Sequence, residues 1–462
     1  MDKQRVTQDI RRGSALGKEF LKVNFYLFKS ALVGALGGLL FGFDTAVIAG
    51  TTHALTSVFG LSPAKLGFTV SIALWGTVIG AMTAGLLGER FGGRAALRVM
   101  AALYVISSLG CAFAWSWPVL IVFRFIGGLG IGGSSVLGPV YIAEIAPAKW
   151  RGRLVGMFQV NVVVGILLAY FSNFVLARLS LGAMLWHWQL GIAAIPALLF
   201  FVLLFAIPRS SRWLVTQNRI AEAREVLQLI GSPDSEAELK EIVASIHLDR
   251  SAKRESIFSW KYVFPIFLAV TLGMFNQLSG INAILYYLND IFFAAGFSRI
   301  SSDAQAVVIG ATNLVATLVA MSLIDKWGRK TLLLTGSVGM VVCLAGVANL
   351  FAKREHSVAL LWFLVGFIIF FAFSQGSVVW VYISEIFPTR VRSRGQSIGS
   401  SAHWVTNAFI AAVFPAIAAH STAIPFVFFA AMTALQFLLV LFVFPETKGA
   451  TLEQIQARLK ID

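Results

Sequence analysis

The feature that most limits what this chain can become is a series of twelve apolar stretches, each long enough to cross a bilayer. A spanning helix needs roughly 20 mostly apolar residues. Lipid offers no partner for a backbone N–H or C=O, and a helix satisfies both internally. The stretches lie near 29–51, 65–87, 95–115, 117–140, 154–177 and 188–207, and then near 262–293, 304–324, 331–351, 358–384, 395–418 and 423–444. Only 13% of the 462 residues are charged and 58% are hydrophobic. A soluble core could not absorb that much apolar sequence, because polar residues must cover a surface. The expectation is an all-α membrane protein with lipid as its partner. The charged start, followed by a long apolar run without a clean small-residue cleavage site, predicts a retained first helix rather than a cleaved signal.

The formal net charge of +15 could indicate nucleic acid, but its placement indicates topology. Lys and Arg crowd the N-terminal segment and the loops holding Arg90, Arg94 and Arg98; Lys149, Arg151 and Arg153; Lys326, Arg329 and Lys330; and Arg390, Arg392 and Arg394. The alternate loops hold few. The positive-inside rule then puts both termini in the cytoplasm, at the plasma (inner) membrane, and no nucleic-acid partner is expected. Cys111 and Cys343 both sit in apolar runs, with neither disulfide nor metal spacing. No nucleophile–base pair or paired catalytic acids occur in the spans, so the chain is not expected to be an enzyme or to hold a metal or cofactor.

Three signatures occur twice. Gly88-Glu89-Arg90-Phe91-Gly92-Gly93-Arg94 returns as Ile324-Asp325-Lys326-Trp327-Gly328-Arg329-Lys330, Glu89 and Asp325 standing 236 apart (325 − 89). Ala143-Glu144-Ile145-Ala146-Pro147 with Arg151 returns as Ser384-Glu385-Ile386-Phe387-Pro388 with Arg392, the two Glu residues 241 apart (385 − 144). Pro208-Arg209-Ser210-Ser211-Arg212 faces Pro445-Glu446-Thr447-Lys448. The near-constant offset predicts a duplicated six-helix half, a layout that transporters use with a site between the halves. The expected divisions are a cytoplasmic N-terminal segment (1–28), a first half (29–208), an intracellular linker (209–261), a second half (262–444) and a cytoplasmic tail (445–462). In the linker Ile220, Ala223, Val226, Leu227 and Ile230 recur at helical spacing until Gly231 and Pro233, which predicts short amphipathic helices; a flexible linker is the alternative. Glu89, Arg94, Glu144, Arg151, Asp325, Arg329, Glu385 and Arg392 could form a cytoplasmic salt-bridge gate between the halves, or the bases could only enforce topology.

These residues resemble the sugar porter family of the major facilitator superfamily over about residues 30–455. The marks are Gly37-Gly38-Leu39-Leu40-Phe41-Gly42-Phe43-Asp44, Arg124-Phe125-Ile126-Gly127-Gly128, the two loop motifs, Gln277-Leu278-Ser279-Gly280-Ile281-Asn282 and Pro445-Glu446-Thr447-Lys448-Gly449. Together they are specific; singly they are weak. The resemblance implies the major facilitator fold, with twelve transmembrane helices as two pseudo-symmetric halves and cytoplasmic helices between them. The departures are Glu89 for the family's Asp, Gly93 for its Arg, Asn276-Gln277 for its Gln-Gln pair, and Arg209 where an acid of the inner salt-bridge network is usual. Gly128-Leu129-Gly130-Ile131-Gly132-Gly133 fits a dinucleotide fingerprint, but it lies inside an apolar span without a strand before it; close helix packing explains it better.

A sugar offers hydroxyls that donate and accept, and apolar C–H faces. Amides suit the first and Trp the second. By resemblance, sugar contacts fall on Gln159, Asn276, Gln277, Asn282, Asn313, Trp380, His403, Trp404 and Asn407, with Phe41 lining the first-span side and Tyr286 and Tyr287 gating the outer mouth. Interhelical hydrogen bonds are the alternative use of each amide. Gly280 is expected to break the seventh span. Asp44 is a carboxylate within an apolar span, where ionisable groups are costly and serve transport or proton relay. Arg124 could compete with a proton for it, or the two could form a static ion pair. The family's proton-coupled members carry Asp here. The expected function is therefore monosaccharide (hexose or pentose) symport by alternating access, with the proton as coupling ion and a monomer as the working unit. A passive facilitator and a transporter-like sensor are the alternatives, the sensor being expected to carry a long signalling extension beyond Pro445.

Overall fold

The first helix begins at Asn24, whose side-chain oxygen accepts a hydrogen bond from the Tyr26 N–H at 2.9 Å. Its amide nitrogen donates to the Leu229 carbonyl at 2.8 Å, tying the start of the bundle to the polar segment between the halves. The computed structural model describes residues 24–147, 150–232, 234–251, 256–354, 358–388 and 390–448, with isolated positions of the tail beyond. The basic residues before Asn24, Lys149, Pro233, Gly449 and the side chain of Asp325 lie outside the described residues.

Twelve helices among the described residues are long and apolar enough to cross a membrane. Spans 1 to 6 are Phe25–Gly50, Pro63–Phe91, Gly93–Ala112, Trp117–Ile145, Arg151–Arg178 and Gly182–Leu203. Spans 7 to 12 are Trp260–Tyr286, Arg299–Leu323, Arg329–Lys353, Ala359–Glu385, Arg392–His420 and Ile424–Phe442. The expected stretches all reappear within a few residues, except that the seventh ends at Tyr286 and is followed by a separate short helix, Leu288–Ala294. The protein is an integral, multi-pass membrane protein. Met82, Leu86, Trp362 and Phe442 are each about two-thirds exposed or more, a surface that lipid covers and water would not tolerate.

Small residues set how closely the helices approach. A Cβ on Gly128 would lie 1.9 Å from the Ala73 carbonyl oxygen, and one on Gly132 would lie 2.0 Å from that of Thr77. The glycine run in span 4 is thus a seam against span 2, as close packing requires.

The duplication is visible in the bonding. The Tyr141 hydroxyl donates to the Pro208 carbonyl at 2.9 Å. The Tyr382 hydroxyl donates to the Pro445 carbonyl at 2.9 Å. Each bond fastens a span to the segment that leaves its own half. Span 2 packs on span 11, and span 5 on span 8, which joins the halves. Between the halves the described residues form three helices, Ser211–Thr216, Ile220–Leu229 and Ser235–Ser251. Ala223, Val226, Leu227 and Ile230 are buried, so the apolar stripe read from spacing does face the bundle.

Candidate substrate and proton site

Span 7 is broken where glycine permits it. Gly280 has φ +86°, ending one helix at Leu278 and starting another at Ile281. Asn276 and Gln277 precede the break and Asn282 follows it. Asn282 Nδ2 donates to Gln277 Oε1 at 3.0 Å, and Gln277 Nε2 donates to Asn276 Oδ1 at 2.9 Å. The same Gln277 nitrogen lies 3.2 Å from His403 Nε2 and 3.3 Å from Nδ1, so the imidazole can accept from it. Trp380 lies against His403 with ring centroids 5.0 Å apart, and His403 meets Trp404 at 5.1 Å. Trp380 remains 39% exposed although it lies within span 10, so one side of this array is open. Asn407 Nδ2 donates to the Tyr286 hydroxyl at 3.0 Å. The array offers donors, acceptors and indole faces together, which is what a polyhydroxylated ring needs.

Two of the expected contacts stand apart from this chain of amides. Gln159 is half-buried on span 5. Asn313 is buried on span 8, where its Oδ1 accepts from Thr317 at 3.5 Å. Sequence inspection also missed a pair. Gln375 and Gln436 are fully buried, and Gln375 Nε2 donates to Gln436 Oε1 at 2.7 Å. The signal was present, since both are amides inside apolar runs. What hid its meaning is a second helix break, at Ser374, where no glycine marks it.

The candidate proton pair and the candidate sugar side meet. Asp44, Arg124, Phe41, Tyr286 and Trp404 line one cavity of about 10 Å³, room for about one water. Arg124 is buried and its Nε donates to the Thr69 carbonyl at 2.9 Å. Asp44 and Arg124 share the cavity without closing into an ion pair among those described. Phe41 packs edge-on against Trp404 at 5.3 Å.

The face opposite the termini is sealed. Tyr286 and Tyr287 are buried, and the Tyr287 hydroxyl donates to the Ala411 carbonyl at 2.8 Å while its ring stacks on Phe414 at 5.0 Å. Across the halves, the Tyr170 hydroxyl donates to the Leu285 carbonyl at 2.8 Å, and Thr52 Oγ1 donates to Asp290 Oδ1 at 3.0 Å. Arg299 Nη2 donates to His53 Nδ1 at 2.6 Å.

At the other face, the described ion pair is Arg329–Glu385 at 3.0 Å, which joins spans 9 and 10 within the second half rather than linking the halves. Glu385 also accepts from Thr447 Oγ1 at 2.6 Å. In the first half, Arg94 Nη1 donates to the Ile207 carbonyl at 2.7 Å, Glu144 lies beside Ser210 and Arg212, and the Glu89 carbonyl accepts from the Trp213 indole. Arg151 and Arg392 each reach back to a carbonyl of their own loop, Ala146 and Phe387, at 3.4 Å.

The sequence matches the sugar (and other) transporter family over residues 30–459. The chain belongs to that family. Among relatives of this sugar transporter, the D-xylose-proton symporter of Escherichia coli K12 is 34% identical over 471 residues, covering 94% of this chain and 95% of the relative. The galactose-proton symporter of the same strain is 34% identical over 440 residues, covering 94% of each. The fold superposes on the inward-open conformation of the xylose transporter from Escherichia coli with a TM-score of 0.83 and 34% identity, over 94% of this chain and all of that one. That likeness confirms the major facilitator fold.

Proposed function

We propose that this sugar transporter is a proton-coupled symporter moving a monosaccharide, hexose or pentose, by alternating access. The observation that carries the reading is the single cavity shared by Asp44, Arg124, Phe41, Tyr286 and Trp404. A charge at mid-membrane costs roughly 3 kcal/mol, so an acid is retained there for a use. Arg124 and a proton compete for Asp44. When the proton is on, the acid is neutral and the halves are free to rock. When it is off, attraction to Arg124 draws spans 1 and 4 together and resists the motion. The Asn276, Gln277, Asn282, His403 and Asn407 array and the Trp380 and Trp404 faces hold the sugar, and Tyr286 and Tyr287 close over it. The similarity to xylose- and galactose-proton symporters supports the same reading.

In the same reading both termini are cytoplasmic, the protein sits in the inner membrane as a monomer, and the segments divide at 28, 208, 261 and 444. Gln159 and Asn313 join the sugar contacts when the halves close. The cytoplasmic pairs lock the inner face in the other state. The decisive test is Asp44→Asn in proteoliposomes. Sugar exchange survives while accumulation driven by a pH gradient is lost. Undiminished accumulation would refute proton coupling through Asp44; no accumulation in the unaltered protein would make it a facilitator.

A further inference from the structure

Behind the Tyr287 gate, on the face opposite the termini, lies a second cavity of about 220 Å³. Leu66 of span 2 forms one wall, Tyr287 and Ile291 another, and Phe351, Phe414 and Phe426 of spans 9, 11 and 12 the rest. An apolar cavity of about 150 Å³ is known to accept benzene, so this one has room for a phenyl ring and a two-carbon arm. Its lining is apolar except chiefly at Asp290. One carboxylate oxygen of Asp290 is taken by the Thr52 hydroxyl, while Oδ2 is buried and without a hydrogen-bond partner. A buried carboxylate oxygen left unpaired is costly, and a cation that donates to it removes the cost. Arg299, the nearby base on span 8, is engaged with His53.

We infer that this cavity is a binding site for a small lipophilic ammonium ion, with the ammonium on Asp290 Oδ2 and the apolar body among Phe351, Phe414 and Phe426. An occupant would touch Leu66 of the first half and the gate helix Leu288–Ala294 of the second at once. It would therefore hold this face closed and slow transport without competing for the sugar site. Binding is read directly, so it stands or falls separately from proton coupling; the effect on transport rests on the alternating-access reading above.

The probe is 2-phenylethylammonium, added to the purified full-length protein and followed by calorimetry. 2-Phenylethanol, with the same body and no charge, binds about tenfold more weakly or worse, the usual worth of a charge-assisted hydrogen bond. Asp290→Asn keeps an acceptor for Thr52 and reduces the ammonium to the affinity of the alcohol. Ala418→Trp fills the cavity and abolishes binding of both, with sugar binding of that variant as the control for folding. Asp44→Asn leaves ammonium binding intact. Equal affinity for ammonium and alcohol, binding that survives Ala418→Trp, or binding lost in Asp44→Asn but kept in Asp290→Asn would each overturn the assignment.

Discussion

The Phe41 ring packs edge-on against the Trp404 indole, their centroids 5.3 Å apart. Phe41 lies one helical turn before Asp44, and Trp404 follows His403 of the amide array. This aromatic contact thus joins the helix of the acid in the first half to the candidate sugar side in the second. Edge-to-face pairs contribute about 0.5–1.5 kcal/mol beyond their buried area. Trp404→Ala should weaken sugar binding roughly tenfold, with Trp404→Phe closer to the unaltered protein. Calorimetric titration with a transported sugar checks this; unchanged affinity in Trp404→Ala would remove Trp404 from the site.

Gly280 should not tolerate a side chain. Its φ of +86° is strained for any L-residue by roughly 1–2 kcal/mol. A Cβ would also stand 2.3 Å from the Phe429 ring. Gly280→Ala should lower the melting temperature in detergent, and Phe429→Leu in the same protein should restore part of the loss. A variant as stable as the parent would mean that the break in span 7 relaxes without cost.

The family departure at Arg209 has a structural counterpart. In the second half, Glu446 accepts from the N–H groups of Arg329 and Lys330 at 3.0 Å each, capping span 9. The matching position in the first half, 237 residues earlier (446 − 209), holds Arg209. Its guanidinium lies over the Trp213 ring at 5.6 Å, and among the described residues no side chain is bonded to the first N–H groups of span 3. A carboxylate at a helix N-terminus contributes about 1 kcal/mol. Arg209→Glu should therefore raise the melting temperature by a few degrees, and Glu446→Gln should lower it. A drop in Arg209→Glu would show that the arginine has its own structural role.

The sealed face should respond to pH through His53. Partial desolvation of this exposed ring, and then the adjacent Arg299, hold its pKa below the ordinary histidine value. The neutral ring is the acceptor that Arg299 needs. When the face opens, His53 returns toward about 6.5. Stability of the closed face from this pair is therefore fully present above about 6.5 and is lost as pH falls from there through the lower pKa of the closed face. Asp290, beyond the end of span 7, opposes this: burial raises its carboxyl to about 6, against the pull of the Thr52 hydrogen bond, and protonation there favours closure. The His53 part is read by difference. His53→Gln keeps an acceptor without a titrating proton and should leave the face more closed at pH 5.5 than the parent. Distances between spin labels on the outer ends of spans 1 and 7 report it; identical pH profiles would exclude His53.

The chain by itself determined the number of spans, their approximate limits, the duplicated loops and the break at Gly280. Each of these is local or periodic: a helix must be long and apolar to cross lipid, and a repeat keeps its offset. The choice of amides was legible for the same reason, because a polar group in an apolar run is conspicuous. Only the tertiary structure decided which of them meet. It placed Asp44 and Trp404 around one cavity though 360 residues separate them (404 − 44). It left Gln159 and Asn313 apart from the amide chain, joined Gln375 to Gln436 beside an unmarked break, and kept Arg329–Glu385 within one half. The pairs within the second half depend on how its own spans pack, and the meeting of Asp44 with Trp404 on how the two halves are rotated against each other. No residue spacing along either half encodes that angle.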